Sequence, residues 1–504
     1  MDLLWKVKNT LKEYKTIGEL KTGVLTGSYT DNNPDFSRCF LWKAVFLLQT
    51  LEIPEWEKNL DASRSTYSFL SKQYRPPFSL LDSQSPYFEK PRMEAIEQKP
   101  QSSPPRTVNP NKKSNLLKRS SLDKSASSLS TAESPLSVPS GSNTSLRTSS
   151  ISSAVTPLNG ESSTTDSDVN ELNAIIIDIE RTFPGHPLFR DPEIKKGIVR
   201  VLFVWYKLNQ DVGYRQGMHE IISTIFMVVH AESFAKPLNG FSDDNDSQIF
   251  EIFNQNEIYA DVFHMFTIFM INPQASFYSE ANLLDNCAKF DQLLHDFDYD
   301  LYYYLNRKLK LESQIWLIRW LRLMLIRELT LSTVLPIWDK LISFQKIKNF
   351  SNLTSNSDFN TIVSIIVLLL LLNIKKELLL GCQDYGDVLK LLLNYPVAKV
   401  FKNKSLTKDF DDDFNLAEVE IDDHVMEFIN SLFNEAVLVF NSRRNLKAIG
   451  KFLNEKYNAE FINLYQERKG PAETTFIEDD EVLDKLRFQN RLTERVRNAL
   501  NNKK

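Results

Sequence analysis

Two short stretches of this chain carry residue types suited to phosphoryl-transfer chemistry. The first is Ile175-Ile176-Ile177-Asp178-Ile179-Glu180-Arg181 and the second is Tyr214-Arg215-Gln216-Gly217-Met218. As patterns they read I-x-x-D-x-x-R and Y-x-Q-G-M. A guanidinium offers planar, forked donors that match phosphate oxygens, which a lysine does not reproduce. Arg181 can therefore neutralise charge that develops on a transferred phosphoryl group. The amide of Gln216 can orient an attacking water, the second group that such a reaction uses.

The elements around these residues must hold them in place. Asp178 and Arg181 are three apart, so on a helix they are neighbours on one face. Ile175, three residues before Asp178, anchors the adjacent turn. Pro184 disfavours helix at Phe183, so the helix is predicted to end near Thr182. Arg181 then falls in a last turn beside a loop, where a long side chain can leave its own protein. Gly213 and Gly217 bracket the second stretch and fit a turn. Each residue also has a simpler reading. An arginine near a helix C-terminus is favoured by the helix dipole, an aspartate three residues earlier can pair with it, and Gln216 can be an ordinary surface glutamine. Spacing alone does not bring Arg181 and Gln216 together.

Bulk properties narrow the class. The chain has 504 residues, 42% hydrophobic and 25% charged, as in ordinary globular proteins. It has 14 glycines, where average usage of about 7% gives roughly 35. That scarcity argues against a doubly wound α/β fold. A net charge of −5 provides no basic field for nucleic acid. Cys39, Cys287 and Cys382 are far apart and suggest neither disulfides nor a zinc site. Reduced thiols in the cytoplasm are expected. The N-terminal Met-Asp-Leu-Leu-Trp-Lys has no continuous apolar run of the kind a signal peptide needs. The run from Ile362 to Leu372 is too short to span a bilayer, which takes about 20 residues, and is predicted to be a buried core helix. No P-loop or kinase motif is present, and the six His and three Cys form no metal-ligand cluster. Any nucleotide and Mg²⁺ must belong to a partner.

The periodicity is helical. Ile198, Val201, Leu202, Trp205 and Leu208 recur at three and four, as do Leu317, Trp320, Leu321 and Met324. Val262, Phe263, Phe266 and Phe269 form another stripe, and all three stripes read as core. The fold class is all-α, a multi-helix array with a long disordered insertion. Residues 99–168 are dominated by Ser, Thr, Pro and Asn and cannot bury enough apolar surface to order themselves. The organisation is a segment 1–24, a first domain part 25–98, the insertion 99–168, a main part 169–400, an acidic connector 401–423 and a helical region 424–504. In that last region Phe428, Leu432, Val439 and Phe440 form an apolar face. The tail from Leu483 to Leu500, with Leu486, Leu492, Val496 and Leu500, can pack back or meet a partner helix.

Taken together, the two motifs resemble the TBC domain of GTPase-activating proteins for Rab/Ypt small GTPases. Arg38-Cys39-Phe40-Leu41-Trp42-Lys43 looks like the first motif of that family, R-x-x-x-W. Gln314-Ile315-Trp316, Arg319-Trp320, Arg327-Glu328-Leu329 and Leu335-Pro336-Ile337-Trp338-Asp339 follow in the family's order. Ser313 stands where the family usually has Pro, at an expected helix start where Ser is acceptable. The stretches Arg181-Thr182-Phe183-Pro184 and Gln216-Gly217-Met218-His219-Glu220 are similar to an endosome- and Golgi-associated branch. With the Asn- and Ser-rich composition they lean towards a fungal protein, cytoplasmic and recruited peripherally to Golgi or endosomal membranes through partners.

The resemblance implies that Arg181 and Gln216 act as two fingers inserted into a Rab/Ypt GTPase, which carries GTP and Mg²⁺; the chain needs no cofactor or metal of its own. It implies that Asp178 holds the Arg181 helix and loop, and that Tyr214 braces the Gln216 loop and touches the GTPase. Arg38 and Trp42 are expected to be structural, with the arginine buried and ion-paired, Asp339 as a candidate partner, and Lys43 on the surface. A Rab-binding scaffold without useful catalysis and a helical membrane-trafficking adaptor remain as other readings.

Deleting residues 105–165 is predicted to leave catalysis and thermal stability nearly unchanged, because loop-closure entropy grows only logarithmically with length. A sharp fall in melting temperature on deletion would place the insertion inside the ordered domain.

Overall fold

A computed structural model of the chain describes residues 2–89, 166–345 apart from 239 and 242, 357–406 and 422–469. The disordered insertion expected over 99–168 lies outside the described residues except for its last three, which open a helix. Most of the acidic connector and the tail beyond residue 469 also lie outside them.

The described residues are helical, and their one β-pairing is an isolated bridge between Phe234 and Asn254. Helices α1 (Asp2–Glu13), α2 (Ile17–Thr26), α3 (Arg38–Lys43) and α4 (Ile53–Gln73) precede the insertion. Helices α5 (Asp166–Glu180), α6 (Pro192–Leu208), α7 (Met218–Ala231), α8 (Asp244–Phe250) and α9 (Ile258–Pro273) follow it. Then come α10 (Glu280–Phe297), α11 (Tyr299–Tyr302), α12 (Gln314–Arg322) and α13 (Leu331–Phe344). The last are α14 (Ser357–Asn373), α15 (Tyr385–Leu393), α16 (Val397–Val400), α17 (Asp423–Asn441) and α18 (Leu446–Lys469).

The three expected apolar stripes are buried, apart from Leu208, which is 43% exposed where α6 leaves the core. Helix α14 is apolar on every face and Ile362, Val363 and Ile365 through Leu372 are all buried, so it is a core helix. Among the described residues no helix is long and apolar enough to cross a membrane. The N-terminal segment joins the same core: Leu20 and Val24 of α2 are fully buried, and Lys340 Nζ of α13 donates to the Val24 carbonyl at 2.9 Å. Helix α17 also packs on α13 and α14, burying Leu432 and Val439. Phe401, assigned from sequence to the connector, is buried and meets Phe428 with ring centroids 4.7 Å apart.

Helix α3 sits at the centre, with all six of its residues buried. Ser37 caps its start by accepting from Phe40 N. Its polar groups are matched by carboxylates from distant helices. Arg38 Nε donates to both Asp339 oxygens at 3.1 and 3.0 Å, and Asp31 pairs with its Nη2. Trp42 Nε1 donates to Asp339 Oδ1 at 2.7 Å. Arg38 and Trp42, four apart, thus share one helix face and one acceptor.

Lys43 departs from expectation. It is 1% exposed, where the sequence reading put it on the surface. Its Nζ lies 2.7 Å from Asp261 Oδ2 and donates to the Ile252 carbonyl at 2.5 Å. Asp261 also receives Arg64 Nε at 3.0 Å. A helix enclosed on all sides must bury every side chain, and a buried ammonium persists only when paired. Ser313 does precede α12, but its hydroxyl makes no cap and donates to Asp291 Oδ2 at 3.0 Å instead.

Asp339→Ala leaves the Arg38 guanidinium and the Trp42 N–H without their shared acceptor. It is expected to cost about 3–5 kcal/mol, the usual effect of breaking a buried pair from one side. Urea denaturation measures this, and a change below about 1 kcal/mol would show that the trio contributes little.

Candidate functional site

Helix α5 opens with Asp166 and Asp168 in its first turn, favoured there by the helix dipole. Asp168 is buried and receives Lys207 Nζ at 2.9 Å from α6. Leu172, Ile175 and Ile179 line the inner face and are fully buried. Ile177 faces outward, 63% exposed, one turn before Arg181. The helix stops at Glu180, two residues earlier than predicted, so Arg181 lies just past it in a turn. Thr182 closes the end: its N–H donates to the Ile179 carbonyl at 3.1 Å and its hydroxyl to the Asp178 carbonyl at 2.8 Å. Phe183 then turns left-handed at φ 40, with its ring 5.5 Å from that of Phe189.

The second motif forms the entry to α7. Gly213 and Gly217 both adopt positive φ, 69 and 106, conformations that glycine takes without strain. A Cβ at Gly217 would also lie 2.8 Å from Leu323 Cδ2. The backbone therefore passes close to the loop between α12 and α13, and the next residue, Met218, starts a helix buried as far as Val229.

Asp178 joins the two motifs. Its Oδ1 lies 2.5 Å from Arg181 Nη2, and its Oδ2 accepts from the Tyr214 hydroxyl at 2.6 Å. The carboxylate is buried, while the Arg181 side chain is 52% exposed. Asp178 thus fixes one edge of the guanidinium and leaves other donors facing outward. Gln216, two residues beyond Tyr214, is exposed. One carboxylate thus ties Arg181 to Tyr214, two residues before Gln216.

Behind this junction lies a buried polar cluster. His219 Nδ1 is 3.0 Å from the Tyr214 hydroxyl and 3.3 Å from Gly217 N. The Tyr214 hydroxyl gives its one proton to Asp178, so its contact with His219 needs a proton on Nδ1, while the Gly217 N–H needs a lone pair there; the ring satisfies one of the two at a time. Nε2 faces Glu220 Oε1 at 3.5 Å. Burial holds His219 below its ordinary pKa against the pull of Glu220 and Asp178, which favours the neutral ring. Burial and the Asp178 carboxylate push the Tyr214 hydroxyl well up, so it remains a donor. Tyr214 is 5% exposed. Its hydroxyl turns inward to Asp178 and His219.

Arg38 and Trp42 are not in this cluster; they belong to the α3 core. His219, Glu220 and Arg327 are in it and were not singled out as site residues. A signal was present, because a His-Glu pair opening an otherwise apolar helix must find partners inside the protein. As a chemical arrangement the site presents a half-exposed, pre-aimed guanidinium and an exposed amide over a neutral, hydrogen-bonded support.

The Rab-GTPase-TBC domain model matches residues 141–380. Mouse TBC1 domain family member 5 is 26% identical over 260 residues, covering 45% of this chain and 29% of that protein. Human TBC1 domain family member 13 is 28% identical over 220 residues, 43% of this chain and 47% of that protein. The GTPase-activating protein GYP1 of Saccharomyces cerevisiae is 24% identical over 193 residues, 38% of this chain and 30% of that protein. The chain thus spans less than half the length of these relatives. The crystal structure of the Ypt/Rab-GAP domain of Gyp1p superposes with a TM-score of 0.51 at 16% identity, covering 88% of this chain and 99% of that one, which is a likeness of fold. Residues 141–380, which hold both motifs joined at Asp178, thus match the Rab-GTPase-TBC domain, and the helical array around them has the fold of the Gyp1p domain.

Proposed function

We propose that this chain accelerates GTP hydrolysis by a Rab/Ypt-type small GTPase, supplying Arg181 and Gln216 in trans. The observation that carries the reading is the Asp178 carboxylate, which receives Arg181 on one oxygen and Tyr214 of the Gln216 loop on the other. In this reading the nucleotide and its Mg²⁺ are the partner's. Arg181 moves from its half-exposed position onto the γ-phosphate oxygens, where it stabilises charge in the transition state. Gln216 orients the attacking water in place of the GTPase's own switch glutamine. Asp178 and Tyr214 are positioning residues, since they act through Arg181 and the loop. The chain acts in vesicle transport and reaches Golgi or endosomal membranes peripherally, through its GTPase.

The test is single-turnover hydrolysis against a panel of GTP-loaded Rabs. An arginine finger contributes about 10³–10⁵ in rate, or roughly 4–7 kcal/mol. Arg181→Ala is expected to lose nearly all stimulation with the fold intact and the melting temperature lowered modestly, because buried Asp178 then keeps only the Tyr214 donor. Arg181→Lys should rescue little, since a point charge lacks the fork. Gln216→Ala should lose most activity, while alanine at the switch glutamine of the Rab matters less. Near-wild-type stimulation by either Arg181 variant would remove the arginine from the mechanism. Full dependence on the Rab glutamine with indifference to Gln216 would remove the second finger. Rab binding without stimulation by the wild-type chain would favour a scaffold.

A further inference from the structure

Arg327 occupies the opposite end of the buried cluster from Arg181. Its Nε lies 3.0 and 2.9 Å from the two Glu220 oxygens, and its Nη2 is 2.5 Å from Oε1. Glu220 meets His219, His219 meets Tyr214, and Tyr214 meets Asp178. One chain of polar contacts therefore links two arginines. Both are half exposed: the Arg327 side chain at 50% and that of Arg181 at 52%. A guanidinium has five N–H donors. Glu220 engages one edge of Arg327 and leaves the Nη1 pair directed away from it.

The backbone that delivers Arg327 is strained. Met324 and Leu325, neither a glycine, adopt φ of 48 and 71. Such residues cost on the order of 1–3 kcal/mol each and persist where the surroundings over-determine them. Here both are buried. The Met324 carbonyl accepts from Trp338 Nε1 at 2.9 Å, and Leu325 N donates to the Trp320 carbonyl at 3.0 Å. Leu323, in the same turn, is the residue that Gly217 approaches. The turn therefore sets Arg327 beside the Gln216 loop with part of its guanidinium facing outward.

We propose that Arg327 is a third partner-facing group of this site, donating to an anionic oxygen on the bound GTPase, either an acidic side chain or a nucleotide phosphate. The inference rests on the GTPase-activating reading above. Arg327 can only donate, and its charge is matched by Glu220. It therefore contributes direction and register to docking more than net field. Glu220 and His219 hold it at a fixed distance from Tyr214 and thus from the Gln216 loop.

The experiment begins with the wild-type chain and the Rab panel. If no Rab is stimulated or bound, the parent reading fails and this one with it, whatever Arg327 does. With a responsive Rab, Arg327→Ala is compared with the double variant Glu220→Gln, Arg327→Gln. The single variant strands a buried carboxylate and should melt lower. The double variant removes both charges and should recover the melting temperature, while KM for the GTP-loaded Rab stays raised about tenfold to a hundredfold, the size of a lost charge-assisted hydrogen bond. Binding to the same Rab loaded with GDP alone, or with GDP and aluminium fluoride, separates the two sources. Loss only with fluoride assigns the γ-phosphate; loss in both that is reproduced by alanine at an acidic residue of the Rab assigns that side chain, and loss in both that no such alanine reproduces assigns a phosphate of GDP. Recovery of wild-type KM and kcat by the double variant would reduce Arg327 to the counterion of Glu220 and overturn the proposal. If the double variant does not fold, Arg327→Lys decides. It keeps the charge beside Glu220 and loses the fork, so a raised KM supports the proposal; if KM stays wild-type, Arg327→Gln, which can still donate to Glu220 but carries no charge, must raise it, and a wild-type KM in both overturns the proposal.

Discussion

Two cations on a fully enclosed helix constrain the rest of this structure. Arg38 and Lys43 lie on α3, and neither can stay charged in the core without a carboxylate. Arg38 finds Asp339 on α13 and Lys43 finds Asp261 on α9, so residues hundreds of positions apart are fixed around six residues. The start of α3 adds a further tie: Glu232, next to the last residue of α7, accepts from Arg38 N at 3.1 Å and from the Ser37 hydroxyl. Helix α7 is thereby anchored at its C-terminal end, and its N-terminal end carries the Gln216 loop. Helix α13 is anchored through Asp339, and the strained turn bearing Arg327 leads into it. The core clamps are remote from the site and yet set the two backbones that build it.

At the site, Asp178 repeats the same logic on a smaller scale. It is buried, so both of its oxygens need donors, and it takes one from each motif. Satisfying one carboxylate fixes the aim of Arg181 and the seat of Tyr214 together. The support behind them is neutral where it touches Tyr214, because His219 is held unprotonated by burial. Charge is kept to the two exposed ends. Such an arrangement presents positive groups to a partner without leaving an uncompensated charge in the interior.

Much of the fold was legible because helical packing is written locally. The stripes at 198–205, 262–269 and 317–324 were read from a period of three and four, and they are core. Leu208 broke the pattern only because its helix ends there. The run at 362–372 was correctly read as a core helix from its length against bilayer thickness. A structural role for Arg38 and Trp42 came from the family resemblance, which offered Asp339 only as a candidate partner; the structure makes it their shared acceptor. Lys43 was misread. Lysine is usually exposed, and nothing adjacent in sequence announces Asp261, 218 residues away, as its acceptor.

The sequence by itself determined the helical class, the helix stop ahead of Pro184 and the two glycines at positive φ. Each of these is decided by steric or hydrogen-bonding rules that act over a few residues. It also supplied the residue types that phosphoryl-transfer chemistry requires. Only the tertiary structure decided that Arg181 and Tyr214 of the Gln216 loop share one carboxylate, that the Tyr214 hydroxyl is buried, and that His219, Glu220 and Arg327 complete the cluster. Those outcomes depend on which buried donors and acceptors meet once the helices have packed. That is a long-range condition, set by the need to pair every polar group removed from water, and no local spacing encodes it.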